Sequence, residues 1–399
     1  MLLSNLLSEN SIALDKRIKK ALSDTVSCVQ HGAKLSLTAI GRTLGEQSPS
    51  TTEKHCIKRV DRLLKNEKLQ QNRTQFYKTL TAYLTGGIED ALPIIVDWSS
   101  VYDQSFVLLR ASVAFDGRAF TIYEEVHAEG AMNNHKIHVK FLQNLKQILP
   151  DECCPVIVTD AGFKVPWFKA IDKLNWYWLA RTRGTVKCKT DDNSEWTLVD
   201  AYHSQAKTKP TALKGLVLSK QHKWSCRGVL YKTSPPPKKH KKPTKRPNCN
   251  SYKKYSKGNS EPWFLVSNLP EDEFSALALV NIYKRRMTIE EAFRDTKNEY
   301  YGLGLRRSRS QSIERLQALL LIALLAQWQL YVIGKAAELQ GYHRHFQANT
   351  EKRRRVLSYC YLAKRILLNS SFAITNSMLQ EAFELLIMET RCHLNCGDP

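Results

Sequence analysis

Three acids stand in surroundings that permit chemistry: Glu290 among cations, and Asp97 and Asp160 at the ends of apolar runs. The stretch from Tyr283 to Lys297 has no Gly or Pro and is rich in good helix formers, so it predicts one continuous helix. At about 100° per residue, Arg286, Glu290, Arg294 and Lys297 all fall within about 60° of Tyr283. Ile282, Ile289 and Phe293 form an apolar stripe beside them, and Glu291 and Asp295 point elsewhere. The plain alternative is a solvated helix face laced with i,i+4 ion pairs. Two other stretches weigh against it: Pro93-Ile94-Ile95-Val96-Asp97 and Pro155-Val156-Ile157-Val158-Thr159-Asp160. Each is an apolar strand that runs out at an acid, where open α/β sheets carry their sites. Three carboxylates from different elements can bind two Mg²⁺ ions roughly 3.5–4 Å apart. One ion activates an attacking water or hydroxyl, and the other stabilises the leaving oxygen of an in-line phosphoryl displacement. Arg286 and Lys297 then suit phosphate oxygens, and Tyr283 can donate a hydrogen bond.

The whole chain suits a polyanionic partner. Its 60 Lys and Arg against 38 Asp and Glu give a net charge of +22, which points to nucleic acid ahead of an anionic membrane surface. At 399 residues it is long enough for two or three domains, with the 43% hydrophobic content of a soluble globular protein. Met1 to Leu7 lacks the charged start and long apolar core of a signal peptide. Ten cysteines, scattered except for Cys153-Cys154, fit a reducing cytoplasm better than a disulfide framework. Cys392-His393-Leu394-Asn395-Cys396 has the look of a metal knuckle but lacks a second ligand pair.

The elements that must position the acids follow in order. Residues 1–85 read as all-helical: an amphipathic helix through Ile18, Leu22 and Val26, a short one from Leu35 to Gly45, and a basic one from Thr52 to Lys65. Lys54, Lys58, Arg62 and Lys65 share a face of the last, in the manner of a helix-turn-helix DNA reader; an ordinary basic surface helix is the alternative. Strands follow over Leu92–Trp98, Phe106–Phe115 and Arg118–Val126, the last two flanking an Asp116-Gly117 hairpin signal. A helix over Lys136–Leu149, a strand over Pro155–Thr159, a helix over Phe163–Leu174 and a strand over Trp176–Arg181 complete a β-β-β-α-β-α-β order. That is the order of a ribonuclease-H-like α/β fold. Residues 184–267 interrupt it with short strands and a Pro-rich segment, Ser234 to Gly258, which carries nine Lys or Arg and no acid. Such a segment reads as a mobile loop able to lie along phosphates, or as a merely solubilising linker. Tyr301 to Arg309 is a basic turn, Leu316 to Ile333 a buried core helix in spite of its near-membrane length, and the tail is helical and basic.

The spacing Tyr283-x2-Arg286-x3-Glu290-x6-Lys297 resembles the YREK signature of the insertion-sequence-four family of bacterial transposases. Val96-Asp97-Trp98-Ser99 and Thr159-Asp160-Ala161-Gly162-Phe163 resemble its first and second acid motifs. Glu261-Pro262-Trp263, Tyr301-Gly302-Leu303-Gly304-Leu305-Arg306 and His345-Phe346-Gln347-Ala348-Asn349-Thr350 resemble further stretches, so the likeness covers nearly the whole chain. The resemblance implies a DDE triad of Asp97, Asp160 and Glu290 holding two Mg²⁺, with Mn²⁺ as a substitute. It implies a ribonuclease-H-like core in two parts, 86–183 and 268–310, with a β-rich insertion at 184–267 between them. A helical DNA-binding domain at 1–85 precedes the core, and a helical region at 311–399 follows it. It also implies hydrolysis at an element's 3′ end, hairpin formation, hairpin opening and strand transfer. The partners are double-stranded terminal inverted repeats and target DNA, with a homodimer in the synaptic complex and no membrane. The setting is a bacterial cytoplasm, at the nucleoid when bound to DNA. Trp263 matches the family's stacking tryptophan, with a strand-core residue as the alternative, and Arg306 and Arg307 join the phosphate-binding set. Competing readings are a nuclease of the same fold without strand transfer, a catalytically silent DNA-binding descendant, and a membrane-surface binder.

Overall fold

The computed structural model describes residues 2–9, 11–101, 105–115, 118–233 and 261–394. The Asp116-Gly117 turn, the basic segment from Ser234 to Gly258 and the side chains of the Cys392–Cys396 knuckle lie outside the described residues. The protein is a mixed α/β structure whose chain divides into two compact units. One comprises Met1–Glu89, Val96–Cys153 and Met287–Leu394; the other is built mainly from Asp90–Ile95 and Cys154–Arg286.

The first unit opens with five helices, α1 (Leu2–Ser8), α2 (Lys16–Gln30), α3 (Leu37–Glu46), α4 (Glu53–Leu64) and α5 (Glu67–Thr85). Asp15, Ser36 and Asn66 cap α2, α3 and α5 with side-chain oxygens that accept backbone N–H groups. α3 and α4 approach closely at Gly41, where an added Cβ would stand 2.5 Å from Ile57 Cγ1 and 2.7 Å from its Cα. Only a residue without a side chain allows that crossing. Cys56, Val60, Leu63 and Leu64 are buried, while Lys54, Lys58, Arg62 and Lys65 are exposed along the opposite face of α4. Two cations of this helix are held by acids: the Arg59 guanidinium pairs with Asp24, and the Lys65 ammonium with Asp61 at 3.1 Å.

Strand β1 (Ala91–Val101) is shared by the two units, and the first unit adds the hairpin β2 (Phe106–Phe115) and β3 (Arg118–Ala128), then α6 (His135–Ile148). The hairpin is antiparallel with Phe115 opposite Arg118 and one bulge between Ala111 and Ser112. In β1 a buried run covers Leu92 to Val96, but the strand continues through Asp97 to Val101, which is buried again. Asp97 therefore follows the buried run and does not end the strand, which goes on through half-buried Trp98 and Ser99 and exposed Ser100.

The second unit adds β4 (Cys154–Thr159), α7 (Val165–Asp172) with Pro166 in its first turn, and β5 (Tyr177–Thr182), parallel to β4. The strands of residues 184–267 divide between two sheets. β6 (Lys187–Thr190), β7 (Asn193–Leu198), β9 (Val217–Leu218) and β10 (Trp224–Ser225) form a sheet of their own. β8 (Thr211–Leu213), β11 (Arg227–Tyr231) and β12 (Trp263–Ser267) instead extend the main sheet, whose order is β3-β2-β1-β4-β5-β12-β11-β8.

The stretch expected to be one helix from Tyr283 to Lys297 is two, α8 (Ala276–Lys284) and α9 (Met287–Lys297). The Arg285 and Arg286 amides donate three residues back to Ile282 and Tyr283, closing a tight turn without Gly or Pro. Ile282 and Tyr283 are buried in the second unit, and Ile289 and Phe293 in the first. Packing in separate cores overrides local propensity here. In the first unit α9 packs on β2 and β3. The apolar helix Ile313–Leu339 is long and apolar enough to cross a membrane, with a mean hydropathy of 1.8 in its most apolar window. That window is 83% buried within the protein, as a core helix should be.

Candidate active site

Asp97 lies in β1 at the edge of the buried run, and its Oδ1 accepts the Trp98 amide at 2.8 Å. The Trp98 indole N–H in turn donates to His138 Nε2 of α6 at 3.2 Å, and the ring sits edge-on to His127. Burial, then the neighbouring His135 and His127, push the His138 imidazole down to about 4, so it is neutral and its Nε2 can accept. The side chain next to Asp97 is thus held from two sides.

α9 is fixed against the same unit by its inner face. Arg110, buried in β2, pairs with the equally buried Glu124 of β3 at 2.7 Å. It reaches Thr296 Oγ1 at 3.4 Å and lies 4.7 Å from the Phe293 ring centre. This network sets the rotation of α9. At its end, buried Lys297 donates to Ser99 Oγ and to the Ser100 carbonyl, tying α9 to the strand that carries Asp97. Burial, then the cations Arg110 and Arg306, push the Lys297 ammonium down to about 7, against the opposing pull of Asp97. Glu290 is exposed, seven residues before Lys297, and so shares its face about 10 Å along the axis.

The other residues of the signature fall differently from the single-helix reading. Arg294 pairs with Glu291, and Arg118 holds Asp295 at 2.9 Å. Arg118, Arg294, Tyr301 and Tyr361 line a cavity of about 390 Å³ in the first unit. Arg306 and Arg307 are exposed in a short turn of 3-10 helix, with Arg307 bonded to Glu299 at 2.8 Å. Arg286 stands in the break before α9. Tyr283 is buried in α8, edge-on to Trp263 with ring centres 5.1 Å apart. Trp263 is half-buried and contacts both Tyr283 and Tyr231, whose ring is tilted to it with centres 5.5 Å apart.

In the second unit Asp160 follows β4 directly, and its Oδ1 accepts the Gly162 amide at 2.8 Å. A Cβ on Gly162 would come within 2.9 Å of that oxygen, so the glycine leaves room for the carboxylate. Lys164 lies within electrostatic reach; burial lowers its ammonium, Asp160 opposes that shift and Arg183 adds to it. His138, which holds Trp98, and Arg110, which holds α9, were not legible as supports of this site, because no local spacing marks them. The structure places Asp97, Glu290 and Lys297 in one unit and Asp160 in the other. The donors are all carboxylate oxygens, the set that Mg²⁺ and Mn²⁺ prefer.

No curated protein matches the chain significantly. Residues 90–327, about three fifths of the chain, match the family described as Transposase DDE domain. Its span takes in β1, the two aspartates, the break at Arg285-Arg286 and all of α9, and the chain belongs to this transposase DDE domain family.

Proposed function

We propose that the protein is a cut-and-paste transposase of the insertion-sequence-four type, resembling the enzyme of the insertion sequences that flank the composite tetracycline-resistance transposon. Asp97, Asp160 and Glu290 form its DDE triad on a ribonuclease-H-like core. The observation that carries this reading is the family match over residues 90–327, within which all three acids and the whole YREK spacing fall. Residues 1–85 read terminal inverted repeats, with Lys54, Lys58 and Arg62 on the exposed face of α4 against the backbone. Residues 86–183 and 268–310 make the core, 184–267 the insertion and 311–399 the helical C-terminal region. The working form is a homodimer on two element ends, in a bacterial cytoplasm.

The three carboxylates would hold two Mg²⁺, or Mn²⁺ in their place; when bound, such ions lower the pKa of an attacking water or 3′-OH and neutralise the leaving oxygen. Lys297 holds the strand beside Asp97 through Ser99 and Ser100, so the carboxylate is set before substrate arrives. Arg286, Arg306 and Arg307 bear on phosphate oxygens, and Arg294 does so by exchanging Glu291 for DNA. Tyr283 supports Trp263, whose ring stacks on an extruded base at the hairpin tip. Hydrolysis, hairpin formation, opening and strand transfer are all phosphoryl transfers, so one set of acids serves each.

The test is a labelled duplex carrying the element's terminal repeat, incubated with Mg²⁺ and the protein or its Asp97→Ala, Asp160→Ala and Glu290→Ala variants. Nicks that mature to hairpins at the element border, lost in all three variants, are expected. Cleavage without hairpins or joining would leave a nuclease of the same family. End binding without strand breakage would leave a silent DNA-binding descendant.

A further inference from the structure

A second group of metal-ligating side chains stands in the second unit, apart in sequence from the three acids. Asp200 and His203 lie three residues apart on a 3-10 helix (Val199–Gln205), where that spacing brings side chains onto one face. Glu261 lies two residues before Trp263, at the entry to β12. The 3-10 helix is seated on β12 by Tyr202, buried edge-on to Phe264 with ring centres 5.8 Å apart. One ligand atom from each of Asp200, His203 and Glu261 lies within 4.8 Å of the others.

Each member is oriented by a neighbour. The Gly184 amide donates to Asp200 Oδ1 at 2.9 Å. Arg181 of β5 donates to Glu261 Oε2 at 2.9 Å and to the Pro262 carbonyl at 3.4 Å, which fixes the backbone there. His203 is the unusual member. Its Nε2 is sealed from solvent and makes no hydrogen bond among the described residues, and the nearest acid, Asp200 Oδ1, is 3.9 Å away. A ring nitrogen taken out of water without a partner is costly, and the ring stands in a cluster with two carboxylates.

We propose that Asp200, His203 and Glu261 bind one first-row divalent cation in the Mn²⁺-to-Zn²⁺ range. One imidazole nitrogen with two carboxylate oxygens is a donor set for those ions, whereas Mg²⁺ favours oxygen alone. Bonds of about 2.1 Å place neighbouring ligand atoms roughly 3.0–3.4 Å apart, so Asp200 and His203 need close by only about half an ångström. Asp200, whose side chain is 45% exposed, has the freedom to make that movement. Two carboxylates and Arg181 leave a net charge of about −1 for the ion to meet. The bound ion pins the 3-10 helix to the start of β12 and so fixes the approach to Trp263. This site stands on its own geometry and does not depend on the transposase reading.

The experiment uses the full chain carrying Asp97→Ala, Asp160→Ala and Glu290→Ala together, so that those acids take no part. Mn²⁺ is titrated in and the free ion is counted by its six-line electron paramagnetic resonance signal. We expect one ion per chain, with nitrogen coupling in the pulsed spectrum that an all-carboxylate site lacks. His203→Gln and Asp200→Asn, added singly, should each weaken binding at least tenfold while far-UV circular dichroism is unchanged. No stoichiometric binding, or binding undiminished in both variants, overturns the proposal. Should His203→Gln fail to fold, the parent spectrum decides: a bound ion without nitrogen coupling is also refutation. Hairpin formation by the chain with its three acids intact is read separately, so the two proposals can fail independently.

Discussion

Arg110→Met tests how the signature helix is held. The substitution keeps most of the side-chain volume and removes the charge that meets Glu124, where both side chains are only 2% exposed. Among the described residues the Glu124 carboxylate would then keep the neutral hydroxyl of Tyr77 at 3.3 Å, which cannot replace a guanidinium bonded at 2.7 Å. A buried charge stripped of its partner costs about 3–5 kcal/mol. For a chain this long, a urea m-value of about 3 kcal/mol/M or more turns that into a midpoint lowered by about 1 M. The double variant Arg110→Met with Glu124→Leu leaves no charge to desolvate and should recover most of that loss. Activity should not recover with it, because Thr296 and Phe293 of α9 have lost the group that sets the helix rotation. Urea unfolding followed by circular dichroism gives the first quantity, and hairpin formation the second. A single variant shifted by less than about 0.3 M, or a double variant no more stable than the single, would refute the reasoning.

Three further outcomes are expected. Gly41→Ala should destabilise by about 1–3 kcal/mol through the clash with the Ile57 backbone; thermal unfolding showing the gain of up to about 1 kcal/mol usual for Gly→Ala in a helix would disprove the close crossing. Gly162→Ala should lower cleavage at least tenfold with little change in thermal stability, since its Cβ meets the Asp160 carboxylate; unchanged kinetics would show that the carboxylate moves aside freely. His138, pushed down to about 4 in the folded protein from its ordinary 6.5, binds fewer protons folded than unfolded between those values. Its contribution is therefore present above pH 6.5 and is lost as pH falls towards 4, by about 1–2 kcal/mol at pH 5. Urea titrations at pH 5 and 7.5 measure it, and His138→Gln should remove that part of the slope.

Much of the fold was legible because local pattern and tertiary demand agree. The β2–β3 hairpin matches its expected strands except that β3 runs two residues further, to Ala128, and Ile313–Leu339 is buried as its all-round apolar character requires. The break at Arg285-Arg286 was not legible, since no residue there forbids helix and the cause is burial of flanking apolar side chains in separate cores. Nor was the placement of β8, β11 and β12 in the main sheet, because short strands carry no mark of their partner. Of the candidate site, the acids could be picked out from their strands and their helix. The parts that hold them could not: Arg110 meets Thr296 across 186 residues, and Lys297 meets Ser99 across 198. Contacts at such separations leave no periodicity in the sequence.

The helix Ile313–Leu339 carries a consequence for synthesis. Its most apolar window is as greasy as a membrane anchor and leaves the ribosome after some three hundred residues have already emerged. The surfaces that take it up include α2, α5 and β3, all of which precede it. Its hydrophobic surface can therefore be covered as it appears, and the later helices Tyr359–Leu367 and Asn376–Leu394 then close over it. A circular permutant that begins at this helix reverses the order. It would present the same window first, with nothing yet made to cover it, and the insertion machinery of a membrane would meet it before its own core did.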